Sequence, residues 1–316
     1  LAQDSQPPIA GAVSSADWIA HPEAPANEFG VFHFRRVFDL ESIPESWVVH
    51  VSADNRYRLW LNGSPVSSGP QRSDPEHWRY ESVDLAPYLR TGSNVLAATV
   101  WNWGANRPVA QFSQRTAFLL QGSSLDSAVI NSGPQWKVLR NTGYAPVPVS
   151  GRDVGGYYAS PPGEALNAGL QPWGWTDTGF DDAEWLAASA VDDSSWQLTP
   201  RSIPAMEETL TRFAGVRRTD GIETDGQFLQ GTGDLVIPPS TRAVLLLDQA
   251  HLTNAYAVFE TSGGEGSQVS LTYAEALKDA QGNKGNRNEI DGKSISGLRD
   301  VFLLDGGERR QFRTLW

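Results

Sequence analysis

The stretch from Trp101 to Pro108 carries side chains whose types and spacing could bind a ligand: Trp101, Asn102, Trp103 and Arg107. Indole rings stack on the apolar faces of sugar rings, while amide and guanidinium groups hydrogen bond to hydroxyls. We therefore predict that these four side chains form a sugar-binding site. The alternative is that a tryptophan-rich strand end packs against a neighbouring domain, and the sequence leaves this alternative open.

Two acidic pairs, Asp181-Asp182 and Asp192-Asp193, could supply oxygen ligands to Ca²⁺, a hard cation that takes several carboxylate and carbonyl oxygens. Phe180 and Trp185 flank the first pair and could cap the open end of a β-sandwich. We interpret both acidic pairs as solvated turns. No metal ligand and no cofactor is therefore assigned, and calcium is the one cofactor that the acidic pairs leave open.

The residue types that other hydrolases use for catalysis form no recognisable motif in this chain. Its five histidines are scattered without an H-E-x-x-H zinc motif, and we interpret them as structural or surface residues. There is no cysteine, no G-x-S-x-G nucleophile motif and no G-x-x-x-x-G-K phosphate loop. A glycosidase needs two carboxylates on opposite sides of a scissile bond, and the sequence does not pair distant acidic residues. No catalytic residue is assigned.

Charge and hydropathy argue against two classes of partner. The formal net charge of −12 and the pI of about 4.9 repel nucleic acids and anionic membrane surfaces. No apolar run reaches the length of about eighteen residues that a spanning helix needs. The first residues, Leu1 to Pro8, resemble the sequence near a signal-peptide cleavage site. We therefore expect a periplasmic or extracellular location.

The pattern of apolar residues indicates β-strands along most of the chain. Apolar and polar residues alternate in Tyr57–Leu61 and in Val269–Tyr273, which is typical of strands with one buried face. Asn62-Gly63 follows the first of these, and both residues tolerate the positive φ angles of a type I′ hairpin turn. The nearly continuous apolar run 94–101 predicts a central strand that is covered on both faces. Further strands are predicted near 31–38, 47–51, 117–120, 243–247, 256–260 and 301–304.

Many short strands, with turn signals between them and almost no helical periodicity, predict an all-β protein. We expect two antiparallel β-sandwich domains of the jelly-roll, galactose-binding-like type. The predicted boundaries are 1–200 for the first sandwich with its leader segment, 201–234 for a linker, and 235–316 for a second sandwich that is incomplete. Within the linker, 203–213 has helix-like spacing but is interpreted as a connector.

Five segments, distributed along nearly the whole chain, match in sequence and in order the segments of a known enzyme family: Ser52–Gly63, Arg115–Leu120, Pro200–Glu208, Tyr273–Leu277 and Lys284–Lys293. Together they resemble bacterial α-L-rhamnosidases, a family of large multidomain glycoside hydrolases. The resemblance implies β-sandwich domains ahead of an (α/α)₆ barrel, whose carboxylates act by inversion through an activated water. Because no succession of helical hairpins is present, the resemblance carries no catalytic residue onto this chain. Some relatives carry a calcium-dependent rhamnose-binding module, and its ligands are not assigned here.

The resemblance implies that the chain is the N-terminal, non-catalytic part of an α-L-rhamnosidase-like enzyme that removes terminal L-rhamnose from glycosides or polysaccharides. Its expected partners are a rhamnose-containing carbohydrate and the catalytic barrel of the same parent chain. The segment alone is expected to be inactive. The alternative hypothesis is an autonomous carbohydrate-binding β-sandwich protein without hydrolase activity.

Overall fold

The computed structural model describes residue 9 and residues 15–154, 156, 159–191 and 196–316. The leader 1–8 and the acidic pair 192–193 lie outside the described residues, so the interpretations given to them stay predictions. The chain divides into two compact units. The first unit consists of Leu1–Pro146 and Ala159–Pro204, and the second unit consists of Val147–Tyr158 and Ala205–Trp316.

The described residues form β-strands joined by turns, which confirms the predicted all-β class. In chain order the strands are β1 (Ile19–Ala20), β2 (Phe29–Leu40), β3 (Val48–Asp54), β4 (Arg56–Leu61), β5 (Ser64–Gly69), β6 (Trp78–Asp84), β7 (Gly92–Trp103), β8 (Ala117–Gly122), β9 (Lys137–Arg140), β10 (Tyr144–Val147), β11 (Gly163–Asn167), β12 (Leu186–Ala187), β13 (Ser189–Ala190), β14 (Leu198–Pro200), β15 (Gly215–Asp220), β16 (Val244–Asp248), β17 (Val258–Thr261), β18 (Gln268–Tyr273), β19 (Leu298–Leu303) and β20 (Arg310–Arg313). Two short α-helices are described, α1 (Gly151–Val154) and α2 (Gln227–Gln230), in addition to five short 3₁₀ helices. Over the same described ranges, no helix has the length and apolar character needed to cross a bilayer.

The first unit is a sandwich of two six-stranded sheets. One sheet has the strand order β13-β1-β8-β3-β6-β14, and the other has the order β12-β9-β2-β7-β4-β5. Every pairing within these two sheets is antiparallel except that of β14 with β6. The long strands β2 and β7 pair from Phe29 opposite Trp103 to Leu40 opposite Gly92. β7 is buried along most of its length, as predicted for a central strand.

Aromatic rings from both sheets meet in the core of the first unit. The ring centroid of Phe118 lies 5.4 Å from that of Phe34, 5.5 Å from that of Trp136 and 6.3 Å from that of Tyr57. All four side chains are fully buried. Because burying one large apolar side chain contributes about 1.5–3 kcal/mol, this cluster is a major source of the sandwich's stability.

The Asn62-Gly63 turn joins β4 to β5, as predicted. The φ angle is +53° at Asn62 and +80° at Gly63, and a type I′ turn requires both to be positive. The Asn62 side chain also ties the turn to β7. Its Nδ2 donates to Asn94 Oδ1 at 2.8 Å, and its Oδ1 accepts from the main-chain N–H of Val95 at 3.0 Å.

The second unit contains three antiparallel strand pairs, β15 with β16, β17 with β20, and β18 with β19. Three rings from these strands pack together. The centroid of Phe259 lies 4.9 Å from that of Phe302 and 4.8 Å from that of Phe312, and the last two centroids are 5.4 Å apart. Phe302 and Phe312 are buried, whereas Phe259 is partly exposed.

The predicted division into 1–200, 201–234 and 235–316 stays a prediction, and the two compact units can be set beside it. The first unit ends at Pro204, and the predicted linker 201–234 contains β15 and α2. β15 pairs with β16 from Gly215 opposite Asp248, so this part of the segment is a strand and not a connector. The sequence pattern missed it because its side chains are mostly polar and partly exposed. The stretch 203–213 has no helix or strand.

Candidate functional site

The structure buries three of the four side chains that the sequence predicts to bind sugar. Trp101 is 3% exposed and Asn102 and Trp103 are each 1% exposed, whereas Arg107 is exposed. The cause is their place on β7, which is flanked by β2 and β4 and buried on both faces. The prediction assumed that the two indole rings are exposed, and this assumption is wrong because both rings are buried and offer no free face for stacking. Sugar binding at this end of the sandwich stays a prediction.

Asn102 shapes the turn that follows β7. Its Oδ1 accepts from the main-chain N–H of Gly104 at 2.8 Å, and its Nδ2 donates to Ser113 Oγ at 3.0 Å. Gly104 has a φ of +54°, and a Cβ atom there would lie 2.6 Å from the main-chain nitrogen of Phe29. This position therefore requires glycine, and Asn102 acts as an internal brace of the loop.

A buried carboxylate fixes the far end of the same loop. Asp54 Oδ2 accepts main-chain N–H groups of Gln114 at 2.6 Å and of Arg115 at 3.2 Å, and Asn55 Nδ2 donates to Asp54 Oδ1 at 2.7 Å. Asn55 Oδ1 in turn accepts from the main-chain N–H of Trp103 at 3.1 Å. Burial raises the pKa of the Asp54 carboxyl, and these hydrogen bonds to its charged form oppose the rise.

The braced loop lines an open depression of about 540 Å³. The lining residues are Ala105, Arg107, Pro108, Val109, Ala110, Gln111 and Phe112. Phe112 is 50% exposed, while Gln111 is 5% exposed and its Oε1 has no hydrogen-bond partner among the described residues. An exposed ring, a guanidinium donor and an unused amide acceptor are the chemistry that a hydroxyl-bearing ligand needs. We call these seven residues the depression loop.

Of the residues that line this depression, the sequence analysis assigned only Arg107 to the sugar-binding site. It stopped at Pro108, although the adjacent pair Gln111-Phe112 repeats the combination of a polar side chain and an aromatic ring. Asp54 was noted only as part of a family segment. What singles it out is its burial, with 0% of its surface exposed, and no sequence pattern reports burial at a strand end.

The acidic pair Asp181-Asp182 forms a turn and an ion-pair cluster, not a calcium site. Asp182 pairs with Arg35 through a close contact of its Oδ2, and its Oδ1 lies 3.0 Å from Lys137 Nζ. Asp181 Oδ1 accepts from the main-chain N–H of Ala183 at 2.9 Å. Two cationic side chains contact both carboxylate oxygens of Asp182, so this residue does not fit a calcium ligand. Within the described part of the chain, no group of three His, Cys, Asp or Glu side chains could hold a metal.

His33 is part of a buried polar network beneath this turn. Its Nε2 lies 3.0 Å from Asn141 Nδ2, and its Nδ1 lies 3.1 Å from Thr99 Oγ1. The ring centroid is 4.3 Å from that of Trp175. Because an amide nitrogen only donates, Nε2 must accept and the imidazole is neutral. Burial lowers the pKa of His33 to about 3, which agrees with a structural role.

Comparison with known proteins gives one matching family model and several similar structures. The model described as the α-L-rhamnosidase N-terminal domain matches residues 43–209, just over half of the chain. An α-L-rhamnosidase from Streptomyces avermitilis is 31% identical over 180 residues, which cover 52% of this chain and 16% of that protein.

Two solved structures illustrate the likeness in fold. A GH78 family rhamnosidase from Bacillus sp. GL1 superposes with a TM-score of 0.57 at 25% identity, covering 65% of this chain and 22% of its own. The α-L-rhamnosidase from Dictyoglumus thermophilum gives a TM-score of 0.61 at 16% identity, covering 95% of this chain and 32% of its own. This chain therefore spans between 16% and 32% of the length of these three rhamnosidases.

Proposed function

The chain belongs to the α-L-rhamnosidase N-terminal domain family, and we propose from this that it is the non-catalytic β-region of an enzyme that removes terminal L-rhamnose from glycosides or polysaccharides. The observation that carries the proposal is the family match to residues 43–209, the stretch that builds most of both sheets of the first unit. The catalytic barrel of the same parent chain is its proposed partner, and a rhamnose-containing carbohydrate is the proposed substrate.

Three carboxylates of the first unit support a structural role. Asp54 is held by main-chain N–H groups, Glu81 by Arg201 at 2.8 Å, and Asp182 by Arg35 and a lysine. A glycosidase needs two carboxylates that face a scissile bond, one to donate a proton and one to activate water or attack. These three carboxylates are instead engaged with groups of the protein.

A domain exchange tests this role. In the Streptomyces avermitilis relative, the stretch that matches residues 43–209 is replaced by the sequence of this chain, and hydrolysis of a chromogenic α-L-rhamnoside is measured. We expect the exchanged enzyme to retain hydrolysis, whereas a variant that lacks the stretch loses it. An exchanged enzyme that is folded by circular dichroism, yet no more active than the deletion, would contradict the proposal.

The depression loop favours a second function, carbohydrate binding without hydrolysis. Its support is specific: Gln111 presents an unused, buried acceptor next to the exposed ring of Phe112 and the guanidinium of Arg107. L-Rhamnose and rhamnose-bearing oligosaccharides are the proposed ligands, in line with the names of the relatives.

Calorimetric titration of L-rhamnose and its oligomers decides this second function. We expect saturable binding that Arg107→Ala and Phe112→Ala weaken about tenfold, or about 1.4 kcal/mol. Phe213→Ala is the matched control, because Phe213 is 40% exposed and lies in the second unit. Absence of heat with every sugar, or equal losses with the control, rules the depression loop out as a sugar site.

A periplasmic or extracellular location is also proposed. Its support is the likeness of 1–8 to the sequence near a signal-peptide cleavage site. Fractionation of the producing cells, followed by immunodetection, tests it: we expect the protein in the periplasm or medium, and retention in the cytosol contradicts it.

A further inference from the structure

The first unit ends in an extended segment that is added to the edge of a sheet. We call residues 197–204 the strap. Within it, β14 pairs with β6 in the parallel sense, from Leu198 opposite Trp78 to Pro200 opposite Tyr80. Main-chain hydrogen bonds continue the pairing at both ends, because Trp78 N donates to the oxygen of residue 197 at 2.9 Å and the nitrogen of residue 201 donates to Tyr80 O at 3.0 Å. The other pairings of the two six-stranded sheets are antiparallel.

A buried carboxylate of β6 recognises the arginine of the strap. Glu81 is 6% exposed, and its Oε1 accepts from Arg201 Nη1 at 2.8 Å. The rest of the guanidinium closes the strap on itself, since Nε donates to Ile203 O at 2.8 Å and Nη2 to Pro204 O at 3.0 Å. A planar guanidinium can serve three acceptors in this way, and a lysine cannot reproduce the geometry.

Two further side chains of the first unit bind the strap. Arg79 Nη1 donates to Thr199 Oγ1 at 3.0 Å and to the carbonyl of residue 200 at 3.0 Å. Gln71 Oε1 accepts the main-chain N–H of Ser202 at 2.9 Å, and its Nε2 donates to Ser202 Oγ at 3.1 Å. The strap is thus held by a sheet edge plus side chains that select a threonine and an arginine.

This arrangement is that of a peptide bound by strand addition. In that mode, main-chain hydrogen bonds to a free sheet edge supply affinity, and pockets for alternate side chains supply specificity. Thr199 and Arg201 are two residues apart, so an extended chain directs both to the same side. Without the strap, β6 would present unpaired main-chain groups, a template for pairing with another chain.

We propose that the edge of β6, together with Gln71, Arg79 and Glu81, is a strand-addition site for extended peptides that carry threonine two positions before arginine. The strap fills this site in cis. Release of the strap makes the site available to a peptide of the same pattern in trans. This role is independent of rhamnose hydrolysis and of the depression loop.

The test uses a fluorescein-labelled peptide with the sequence of the strap, Gln-Leu-Thr-Pro-Arg-Ser-Ile-Pro, and the 316-residue chain. In fluorescence anisotropy we expect saturable binding to the variant Arg201→Ala, at least tenfold tighter than to the unsubstituted chain, because loss of the cation frees the site. Arg242→Ala is the matched control, since the Arg242 side chain is 84% exposed; it should bind as weakly as the unsubstituted chain. A peptide with alanine in place of arginine should bind Arg201→Ala at least tenfold more weakly.

Hydrogen exchange separates release of the strap from unfolding. In Arg201→Ala we expect at least tenfold faster exchange of the amides of the strap, with unchanged exchange in β2 and β7. If this variant does not fold, Arg201→Lys is used, with effects in the same direction and smaller. A strap that stays protected in the folded variant overturns the proposal. The proposal is also overturned if the strap is released but the peptide does not bind, or if the peptide with alanine in place of arginine binds as tightly as the original peptide.

Discussion

One ion pair of the first unit, Arg35–Asp182, and one of the second unit, Arg217–Asp248, differ in their exposure to solvent. In the pair of the first unit, the side chain of Arg35 is 1% exposed and that of Asp182 is 19% exposed. In the pair of the second unit, the side chain of Arg217 is 35% exposed and that of Asp248 is 29% exposed. An exposed pair is solvated and contributes little. A buried pair has lost its hydration, so each partner depends on the other. The buried Arg35–Asp182 pair of the first unit therefore contributes to the stability of the fold.

Aromatic packing shows the same contrast. Phe118 of the first unit is fully buried among three other buried rings, whereas Phe259 of the second unit is partly exposed and packs against two. The stability of the first unit is therefore expected to respond more strongly to single substitutions. The following substitutions compare matched positions of the two units, beginning with the largest expected difference.

Phe118→Ala should have the largest effect, a loss of about 3–5 kcal/mol in the free energy of unfolding, because it removes a buried ring and leaves a cavity. Phe259→Ala should cost clearly less, since part of that ring is already in water. Urea denaturation followed by far-UV circular dichroism measures both. Equal losses, or a larger loss at Phe259, would break the contrast between the units.

Asp182→Asn should come next, at about 3 kcal/mol, because it leaves the buried guanidinium of Arg35 without its counter-charge. The matched change Asp248→Asn removes the partner of the more exposed Arg217 and should cost about 0–1 kcal/mol. The same denaturation series applies, with a double substitution Arg35→Met plus Asp182→Asn as a check. The contrast fails if Asp182→Asn is as mild as Asp248→Asn.

Gly104→Ala should cost about 1–3 kcal/mol, because φ is +54° and the added Cβ meets the main chain of Phe29. Gly282→Ala in the second unit is the control: its φ is +86°, but a Cβ there meets nothing within 4 Å. Thermal melts of the two variants separate backbone strain from the clash. If Gly104→Ala and Gly282→Ala lower the melting temperature equally, the close approach of the main chain at Gly104 does not contribute to the loss of stability.

His33 should make the first unit sensitive to acid. Its pKa in the folded chain, about 3, lies below the ordinary value of 6.5, so the unfolded chain binds the extra proton first. The contribution of His33 to the free energy of unfolding is complete above about pH 6.5. It falls as the pH drops toward 3, by up to roughly 1.4 kcal/mol per pH unit. His33→Gln should flatten the dependence of unfolding free energy on pH in this window. His251→Gln, which removes an exposed histidine of the second unit, is the control; an unchanged slope in His33→Gln contradicts the assignment.

Local pattern was enough to predict much of the fold. The alternation in β4 buries Tyr57, Leu59 and Leu61 as expected, and Asn62-Gly63 forms the hairpin turn. These features depend on neighbours within a few residues, where side-chain period and turn chemistry decide the outcome. β15 escaped prediction because its polar side chains carry no such pattern.

The site depended on contacts that no local pattern contains. Asp182 meets Arg35 across 147 positions of sequence, and Asp54 meets the N–H of Gln114 across 60. The burial of Trp101 follows from strands and loops packed around β7, which the composition of its own segment does not report. The residue types of Trp101, Asn102 and Trp103 suggested a binding surface, but tertiary packing buries all three side chains.

We propose that this chain is a non-catalytic β-region whose buried carboxylates stabilise its fold. The proposal is tested by release of 4-nitrophenol from 4-nitrophenyl α-L-rhamnopyranoside by the purified 316-residue chain, with the Streptomyces avermitilis enzyme as positive control. We expect release no faster than in buffer, both for the unsubstituted chain and for Asp54→Asn. Turnover that follows the protein through gel filtration, and that is lost in Asp54→Asn while the fold is kept, would contradict the claim.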